Sequence, residues 1–230
     1  MLSMLPTSFV NWVECLYAAV VKKILGLLVE PKVKDNDIDD LELTVVRYKP
    51  DSLQSLCDAT SFTQKEVQLM YRGFKEGCPN GIISVQEFKN VYAQFFPQGD
   101  ANEYAQFVFN TFDQDGNGHI TFDEFVVGLS ILSRGSVEEK LLWVFKLYDV
   151  SKHNLITQED LRILITSVYS LMGASTDPPI TQETIDNHVT TIFQKMDENG
   201  DGNITCEEFI AACKKDEAIW KSLTLFDTIF

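Results

Sequence analysis

The chain of 230 residues carries 34 acidic and 19 basic side chains, for a net charge of −15, and 45% of its residues are hydrophobic. This composition supports buried cores and excludes general disorder, and the length fits two lobes of about 100 residues each. A sequence pI near 4.5 argues against nucleic-acid binding as the main activity, because that requires a basic face. The excess of carboxylates fits a protein that concentrates them around metal cations.

The N-terminal head, residues 1–34, differs in charge from the rest of the chain. It holds four lysines and two glutamates, a net of +2, which leaves −17 for residues 35–230. Residues 9–29 are largely apolar but include Lys22 and Lys23, and a lysine near a bilayer centre costs about 2.5–3.5 kcal/mol. We therefore predict an apolar helix that lies at a membrane surface without spanning it.

Other properties of the head stay open. Leu2 follows the initiator Met, which excludes N-myristoylation because that modification requires glycine at this position. Cys15 could carry a palmitoyl chain or be a plain apolar residue, and the head could instead dock on the protein's own body. Residues 35–46 begin with an acidic run and predict a solvated linker.

The body contains an internal repeat that predicts an all-α fold. Each repeat has an apolar helix, a polar twelve-residue loop with Ile at its eighth position, and a second helix. Two lobes are expected, residues 47–135 and 136–230, each with two loops joined by a short β bridge at the isoleucines. The four loops are Glu76–Glu87, Asp113–Glu124, Asp149–Asp160 and Asp197–Glu208.

The second and fourth loops meet the requirements of a calcium loop. Such a loop places oxygen ligands at positions 1, 3, 5, 7, 9 and 12, with Gly at position 6 and a backbone carbonyl at position 7. Both loops therefore predict strong Ca²⁺ sites. The expected ligands are Asp113, Asp115, Asn117, His119 (carbonyl), Thr121 and Glu124 in loop two, and Asp197, Asn199, Asp201, Asn203 (carbonyl), Thr205 and Glu208 in loop four.

The first and third loops depart from these requirements. Loop one has Cys78 and Pro79 at its third and fourth positions, which supply a thiol and a fixed φ instead of a hard oxygen, so no metal is expected there. Loop three lacks the turn glycine and ends in a short aspartate, so we predict weak binding that favours Mg²⁺, or none. Its candidate ligands are Asp149, Ser151, His153 and Asp160.

Catalytic motifs are missing from the sequence, and we predict that the protein is not an enzyme and has no small-molecule substrate. No G-x-S-x-G, Walker glycine loop or H-E-x-x-H segment occurs. The three histidines are scattered, and the five cysteines form no C-x-x-C pair, so free thiols are expected instead of disulfides or a zinc site.

Several segments resemble the Kv channel-interacting proteins, which belong to the neuronal calcium sensor family of the EF-hand superfamily. The Cys-Pro dipeptide that disables loop one is typical of that wider family. The segments that carry the closer resemblance are Tyr71–Gly81, Tyr92–Asp100, Phe125–Leu132 and Leu225–Phe230. The resemblance covers residues 41–230 and implies four EF-hands in two paired lobes.

The resemblance also implies a function and partners. It implies a cytoplasmic regulatory subunit of Shal-type, A-type voltage-gated potassium channels, which holds the channel's N-terminal segment in an apolar groove and modulates surface expression and inactivation. The head would place the protein peripherally at the plasma membrane or endoplasmic reticulum. The sequence leaves the formation of a homo-oligomer open. Family members usually use hands three and four, whereas here loop two is intact and loop three is altered, so their ion stoichiometry does not carry over.

Other functions remain alternatives at this point. The chain could be a calcium sensor that acts on a kinase, cyclase or receptor, or a calcium buffer without a target. The resemblance also allows a calcium-dependent transcriptional repressor, although the −17 charge of the body opposes nucleic-acid binding.

The C-terminal segment, residues 216–230, has an apolar stripe at helical spacing. An apolar stripe at a chain end is a liability in water, so the segment either covers the target groove as a gate or completes the core of the second lobe.

Overall fold

The computed structural model describes residues 52–173 and 181–216. The predictions for the head, the linker and the C-terminal gate lie outside the described residues, as do residues 174–180. No helix in the described ranges has both the length and the apolarity needed to cross a bilayer.

The described residues form helices joined by short loops, which agrees with the predicted all-α class. The helices are α1 (Leu53–Ala59), α2 (Gln64–Gly77), α3 (Val85–Phe95), α4 (Asn102–Phe112), α5 (Phe122–Arg134), α6 (Val137–Tyr148), α7 (Gln158–Met172), α8 (Gln182–Met196) and α9 (Cys206–Lys215). The strands are β1 (Ile82–Ser84), β2 (His119–Thr121), β3 (Ile156–Thr157) and β4 (Asn203–Ile204).

Most of these helices begin at a capping box, in which a Ser or Thr side chain and an acid three residues later satisfy each other's backbone N–H groups. In the box at the start of α2, the Thr63 hydroxyl accepts from the backbone N–H of Glu66, and the Glu66 carboxylate accepts from that of Thr63. The pairs are Thr63–Glu66, Ser84–Glu87, Thr121–Glu124, Ser136–Glu139, Thr157–Asp160 and Thr205–Glu208.

The strands join the four loops in two pairs, as the repeat predicted. β1 and β2 are antiparallel with Ile83 opposite Ile120, and β3 and β4 are antiparallel with Ile156 opposite Ile204. All four isoleucines are buried. Each bridge therefore fixes two loops to one apolar layer.

Aromatic side chains pack against one another where the two lobes meet. Phe112, at the end of α4, packs between Phe125 of α5 and Trp143 of α6, with ring centroids 6.2 and 5.2 Å apart. A Cβ on Gly128 would lie 2.6 Å from the Phe112 ring and 2.7 Å from Trp143. Only glycine lets α5 approach both rings this closely, so the junction of the two lobes is tightly packed.

A second contact joins the lobes through their backbones. The N–H of Asp100, in the turn between α3 and α4, donates to the carbonyl of Ser170 near the end of α7 at 2.9 Å. A Cβ on Gly99 would lie 2.0 Å from the Leu171 carbonyl oxygen, and one on Gly173 would lie 2.1 Å from that of Gln98. We call this the glycine contact, because neither position has space for a side chain.

The short helix α1 is an element that the repeat did not predict. Ser52 caps it, and Leu56 is its buried residue. The turn that follows is tied to α5, because the Ser61 N–H donates to the Ser130 hydroxyl at 2.8 Å and Arg134 donates to the Ser61 carbonyl at 2.8 Å. With seven residues, α1 is too short to show a helical period.

Candidate metal centres

Loop two, between α4 and α5, folds around its own acidic side chains. Both carboxylate oxygens of Asp113 accept backbone N–H groups, from Asn117 and Gly118, each at 3.0 Å. Asp115 accepts from the backbone N–H of Asn117 at 3.0 Å, and the Asn117 side-chain oxygen accepts from His119 at 2.8 Å. The glycines of this loop, Gly116 and Gly118, have positive φ of 69° and 82°, which glycine adopts without strain.

The twelfth position of loop two turns back toward the first. One oxygen of Glu124 accepts from the N–H groups of Gln114 and Asp115 at 3.0 and 3.4 Å, and the other accepts from the N–H and hydroxyl of Thr121. Ligand oxygens of Asp113, Asp115 and Glu124 all lie within 4.8 Å of one another. Three hard carboxylate donors at this spacing fit a dication such as Ca²⁺, whose oxygen ligands lie about 2.3–2.6 Å from the ion.

Loop four, between α8 and α9, repeats this arrangement. The oxygens of Asp197 accept from the N–H groups of Gly200 and Gly202 at 2.8 and 3.0 Å. Asn199 accepts from Asp201 at 2.7 Å, and Asp201 accepts from Asn203 at 2.8 Å. The predicted ligands of loop four therefore occupy one loop in the same order as those of loop two.

The two loops differ in how close their carboxylates lie. Within the described ranges, the carboxylates of loop four do not form a trio as compact as that of loop two. Asn199 stands where loop two has Asp115, so the third position offers an amide oxygen and the carboxylate moves to Asp201. Hydrogen bonds from the Thr205 N–H and hydroxyl lower the pKa of Glu208, which keeps that ligand ionised.

Loop three has the same outline but closes through its own side chains. Asp160, which is 2% exposed, accepts from the N–H and hydroxyl of Ser151 at 2.9 and 3.2 Å and from those of Thr157 at 2.9 and 2.6 Å. The side-chain contact from Ser151 therefore joins the third position directly to the twelfth. A hydroxyl at the third position replaces a ligand carboxylate and needs no ion to bridge it to Asp160.

The first position of loop three is also satisfied by the chain. The oxygens of Asp149 accept from the N–H groups of His153 and Asn154 at 3.0 and 2.8 Å. Asn154, which stands where the turn glycine is expected, has φ of 60°, in the left-handed region that Asn adopts more readily than most residues. The four candidate ligands thus share one loop, but His153 contributes only its backbone N–H to these bonds.

Loop one contains no comparable set of oxygens. Cys78 is buried at its third position, and the ammonium of Lys75 donates to the Pro79 carbonyl at 2.5 Å. A cation of the protein itself therefore lies against this loop. Glu87 bonds the N–H and hydroxyl of Ser84 at 2.8 and 2.6 Å, which makes it a helix cap.

The sequence interpretation missed the capping function of the ninth and twelfth positions. In every loop these two positions are the N-cap and the third residue of the following helix, so the last ligand also holds the helix start. The pattern of Ser or Thr followed three residues later by an acid is the sequence signal that could have revealed it.

Comparison with known protein families supports the interpretation of these loops. A model of the EF-hand domain pair matches residues 138–214, which contain loops three and four. A model of the EF hand domain matches residues 104–132, which contain loop two. Loop one lies outside both ranges. EF-hand domains, which imply calcium binding, are therefore present, and they support placing the chain in the EF-hand calcium-binding superfamily.

Proposed function

We propose that the chain is a calcium sensor with four EF-hands, of which the second and fourth bind Ca²⁺. The observation that carries the proposal is the carboxylate trio of loop two, held within 4.8 Å by backbone N–H groups. The complete ligand sequence of loop four supports a second site. Loop three is proposed to bind Mg²⁺ weakly or no metal, and loop one to bind none.

The chain's own residues position the ligands of the proposed calcium sites. Backbone N–H groups aim the first, third and fifth side chains inward, and the capping box fixes the last acid at the start of the exit helix. A bound ion supplies the positive charge that offsets repulsion among the carboxylates. Because Glu124 belongs to α5, its attraction to the ion acts directly on that helix.

The target that we propose is the cytoplasmic N-terminal segment of a Shal-type potassium channel. The support comes from the segments that resemble Kv channel-interacting proteins, since the EF-hand matches identify only the superfamily. Incompletely covered apolar side chains suit a helix-in-groove partner. Leu69 is 60% exposed and Leu142 is 41% exposed, and Phe95 and Phe107 are half-buried against the core.

Location and assembly are further parts of this proposal. The protein would be cytoplasmic and would associate peripherally with the plasma membrane or endoplasmic reticulum through residues 1–34. It would act as a regulatory subunit without enzymatic activity, on the basis of its motifs and its resemblance.

Calorimetry of the full chain tests the calcium assignment. Titration should find two high-affinity Ca²⁺ ions, since two loops hold complete ligand sets. The Glu124→Gln/Glu208→Gln variant should lose both, whereas Glu87→Gln should keep both because loop one has no metal. Full calcium binding by the double variant would refute the assignment.

A binding measurement with a synthetic Shal-type channel N-terminal peptide tests the target. The peptide should bind the full chain, and the affinity should be compared with and without calcium. A chain that binds calcium and exposes more apolar surface, yet does not bind the peptide, would indicate a sensor for a different target. A chain that binds calcium without exposing apolar surface would indicate a buffer.

A further inference from the structure

A polar cavity of about 260 Å³ lies between the two lobes, where loop two faces loop three. Its N-lobe wall includes Asn110 and Asp113, and its C-lobe wall includes Lys146, Asp149 and Lys152. One water occupies about 30 Å³ in the liquid, so the cavity has room for a small polar ligand. None of the proposed calcium chemistry requires this space.

The acidic side chains of the cavity are already engaged in bonds to the backbone. Each carboxylate oxygen of Asp113 accepts an N–H of loop two, and each oxygen of Asp149 accepts an N–H of loop three. Both residues are only 7% exposed. Each of these carboxylates is thus held against its own loop by two backbone N–H groups, while it keeps its negative charge.

Donors dominate the remaining lining. Lys146 and Lys152 are exposed, and neither forms an ion pair with any residue in the described ranges. Both lysines line the same cavity, so their ammonium groups can act on one ligand together. Asn154, whose side-chain amide is a further potential donor, also lines the cavity.

From these observations we propose that the cavity binds a phosphomonoester dianion between Lys146 and Lys152. Such a ligand accepts several hydrogen bonds at once, which matches two ammonium groups and nearby amides. Sites at which Lys lies beside amide donors suit phosphate, because lysine acts as a mobile point charge with three donors. The ligand could be a free phosphomonoester or the head group of a lipid.

Calcium at loop two should strengthen this binding, and this part of the inference rests on the proposed function. Asp113 belongs to both the cavity wall and the predicted calcium site, with Asp115 and Glu124 close behind it. The two lysines only balance the charges of Asp113 and Asp149, and the other acids make the region negative. A bound dication offsets two of those charges, so a phosphate dianion then meets less repulsion.

The phosphate and calcium effects must be reciprocal. If calcium increases the affinity for the phosphomonoester by some factor, the phosphomonoester increases the affinity for calcium by the same factor. The protein would then respond most strongly when calcium and the phosphate-bearing ligand are present together.

The experiment titrates glycerol 3-phosphate into the full chain, with and without a slight excess of calcium. Wild type should bind at least tenfold more tightly with calcium. The Lys146→Gln/Lys152→Gln variant should bind at least tenfold more weakly than wild type under both conditions. A matched control, Lys65→Gln/Lys195→Gln, makes the same charge change at exposed helix positions outside the cavity and should bind as wild type does.

Vesicles distinguish the two sources of the ligand. Phosphatidylcholine vesicles containing phosphatidic acid offer a lipid-borne phosphomonoester, and vesicles with phosphatidylglycerol offer a diester. A lipid source predicts that the cavity variant binds phosphatidic acid vesicles more weakly than wild type, while both bind phosphatidylglycerol vesicles equally because the head of residues 1–34 is unchanged. Equal vesicle binding by the two variants, with a difference in glycerol 3-phosphate affinity, indicates a free ligand.

The outcomes separate this inference from the proposed function. Calorimetry on the same samples counts calcium ions, and a wild-type chain that binds no calcium contradicts the proposed function and the calcium effect. The phosphate site would be overturned if wild type and the cavity variant bound glycerol 3-phosphate equally, or if neither bound it. Binding that depends on the lysines but not on calcium would retain the site and refute its coupling to loop two.

Discussion

Loops two and three occupy equivalent places in their repeats, yet their acidic side chains are stabilised differently. In loop two, Asp115 and Glu124 approach each other within 4.8 Å with Asp113, and repulsion rises as they approach. In loop three, Ser151 stands at the position of Asp115 and donates its hydroxyl to Asp160. One loop concentrates charge, and the other closes with a neutral donor.

The outline of the loop does not depend on which side chain stands at its third or twelfth position. Both loops place the first aspartate under two backbone N–H groups, and both end in a capping box. The same kind of capping box, Ser136–Glu139, begins α6, a helix that does not follow one of the four loops. Backbone hydrogen bonds and capping set the shape, while the third and twelfth side chains decide the chemistry.

The largest expected effect is loss of calcium from individual loops. Glu124→Gln should weaken binding at loop two by about 100-fold or more, because the affinity of such loops follows the charge of their ligands. Asp160→Asn should leave the number of high-affinity ions at two. Calorimetry measures both, and loss of a high-affinity ion in Asp160→Asn would show that loop three is also a strong site.

The next effect concerns stability in calcium-free buffer. Asp160→Ala should lower the free energy of unfolding by about 2–4 kcal/mol, because it removes a buried carboxylate that accepts four hydrogen bonds from Ser151 and Thr157. Glu87→Ala removes an exposed cap of the same kind and should cost about 1 kcal/mol. Urea denaturation followed by circular dichroism compares them, and equal losses would contradict the closed-loop interpretation of loop three.

Much of this comparison could be predicted from sequence, because it depends on short spacings. The ligand positions follow from spacings within twelve residues, and the predicted pairing of the loops through their isoleucines is confirmed. The glycine contact between Gly99 and Gly173 and the cavity at Lys146 depend on how the lobes pack. No local pattern encodes that packing, so neither was predicted.

The glycine contact allows a test of whether the two loops respond together. Gly99→Ala should destabilise the protein by about 1–3 kcal/mol, since its Cβ would lie 2.0 Å from the Leu171 carbonyl oxygen and backbone must shift. Pro97→Ala, an exposed change in the same turn, is the control. In wild type, calcium should raise the midpoint temperature of a single unfolding transition that both lobes share. In Gly99→Ala, calcium should instead produce two separate transitions. A single calcium-shifted transition in both would show that the aromatic junction alone couples the lobes.

The smallest effect concerns a capping box outside the metal loops. Arg134 and the Thr63 N–H stabilise the Glu66 carboxylate and lower its pKa from 4.5 to about 2. Because the pKa in the folded state is depressed, the contribution is complete above about pH 4.5 and is lost as the pH falls toward 2. The side chains of Arg134 and Glu66 are 32% and 38% exposed, so solvent screening limits the pair to less than about 1 kcal/mol.

Glu66→Gln keeps a capping side chain without the charge, so its urea midpoint should fall slightly below that of wild type at pH 7 and converge with it near pH 2. Glu139→Gln, at a box without an arginine partner, should show a smaller difference. A gap between wild type and Glu66→Gln that stays constant across this pH range would mean that packing, and not the ionised carboxylate, stabilises the start of α2.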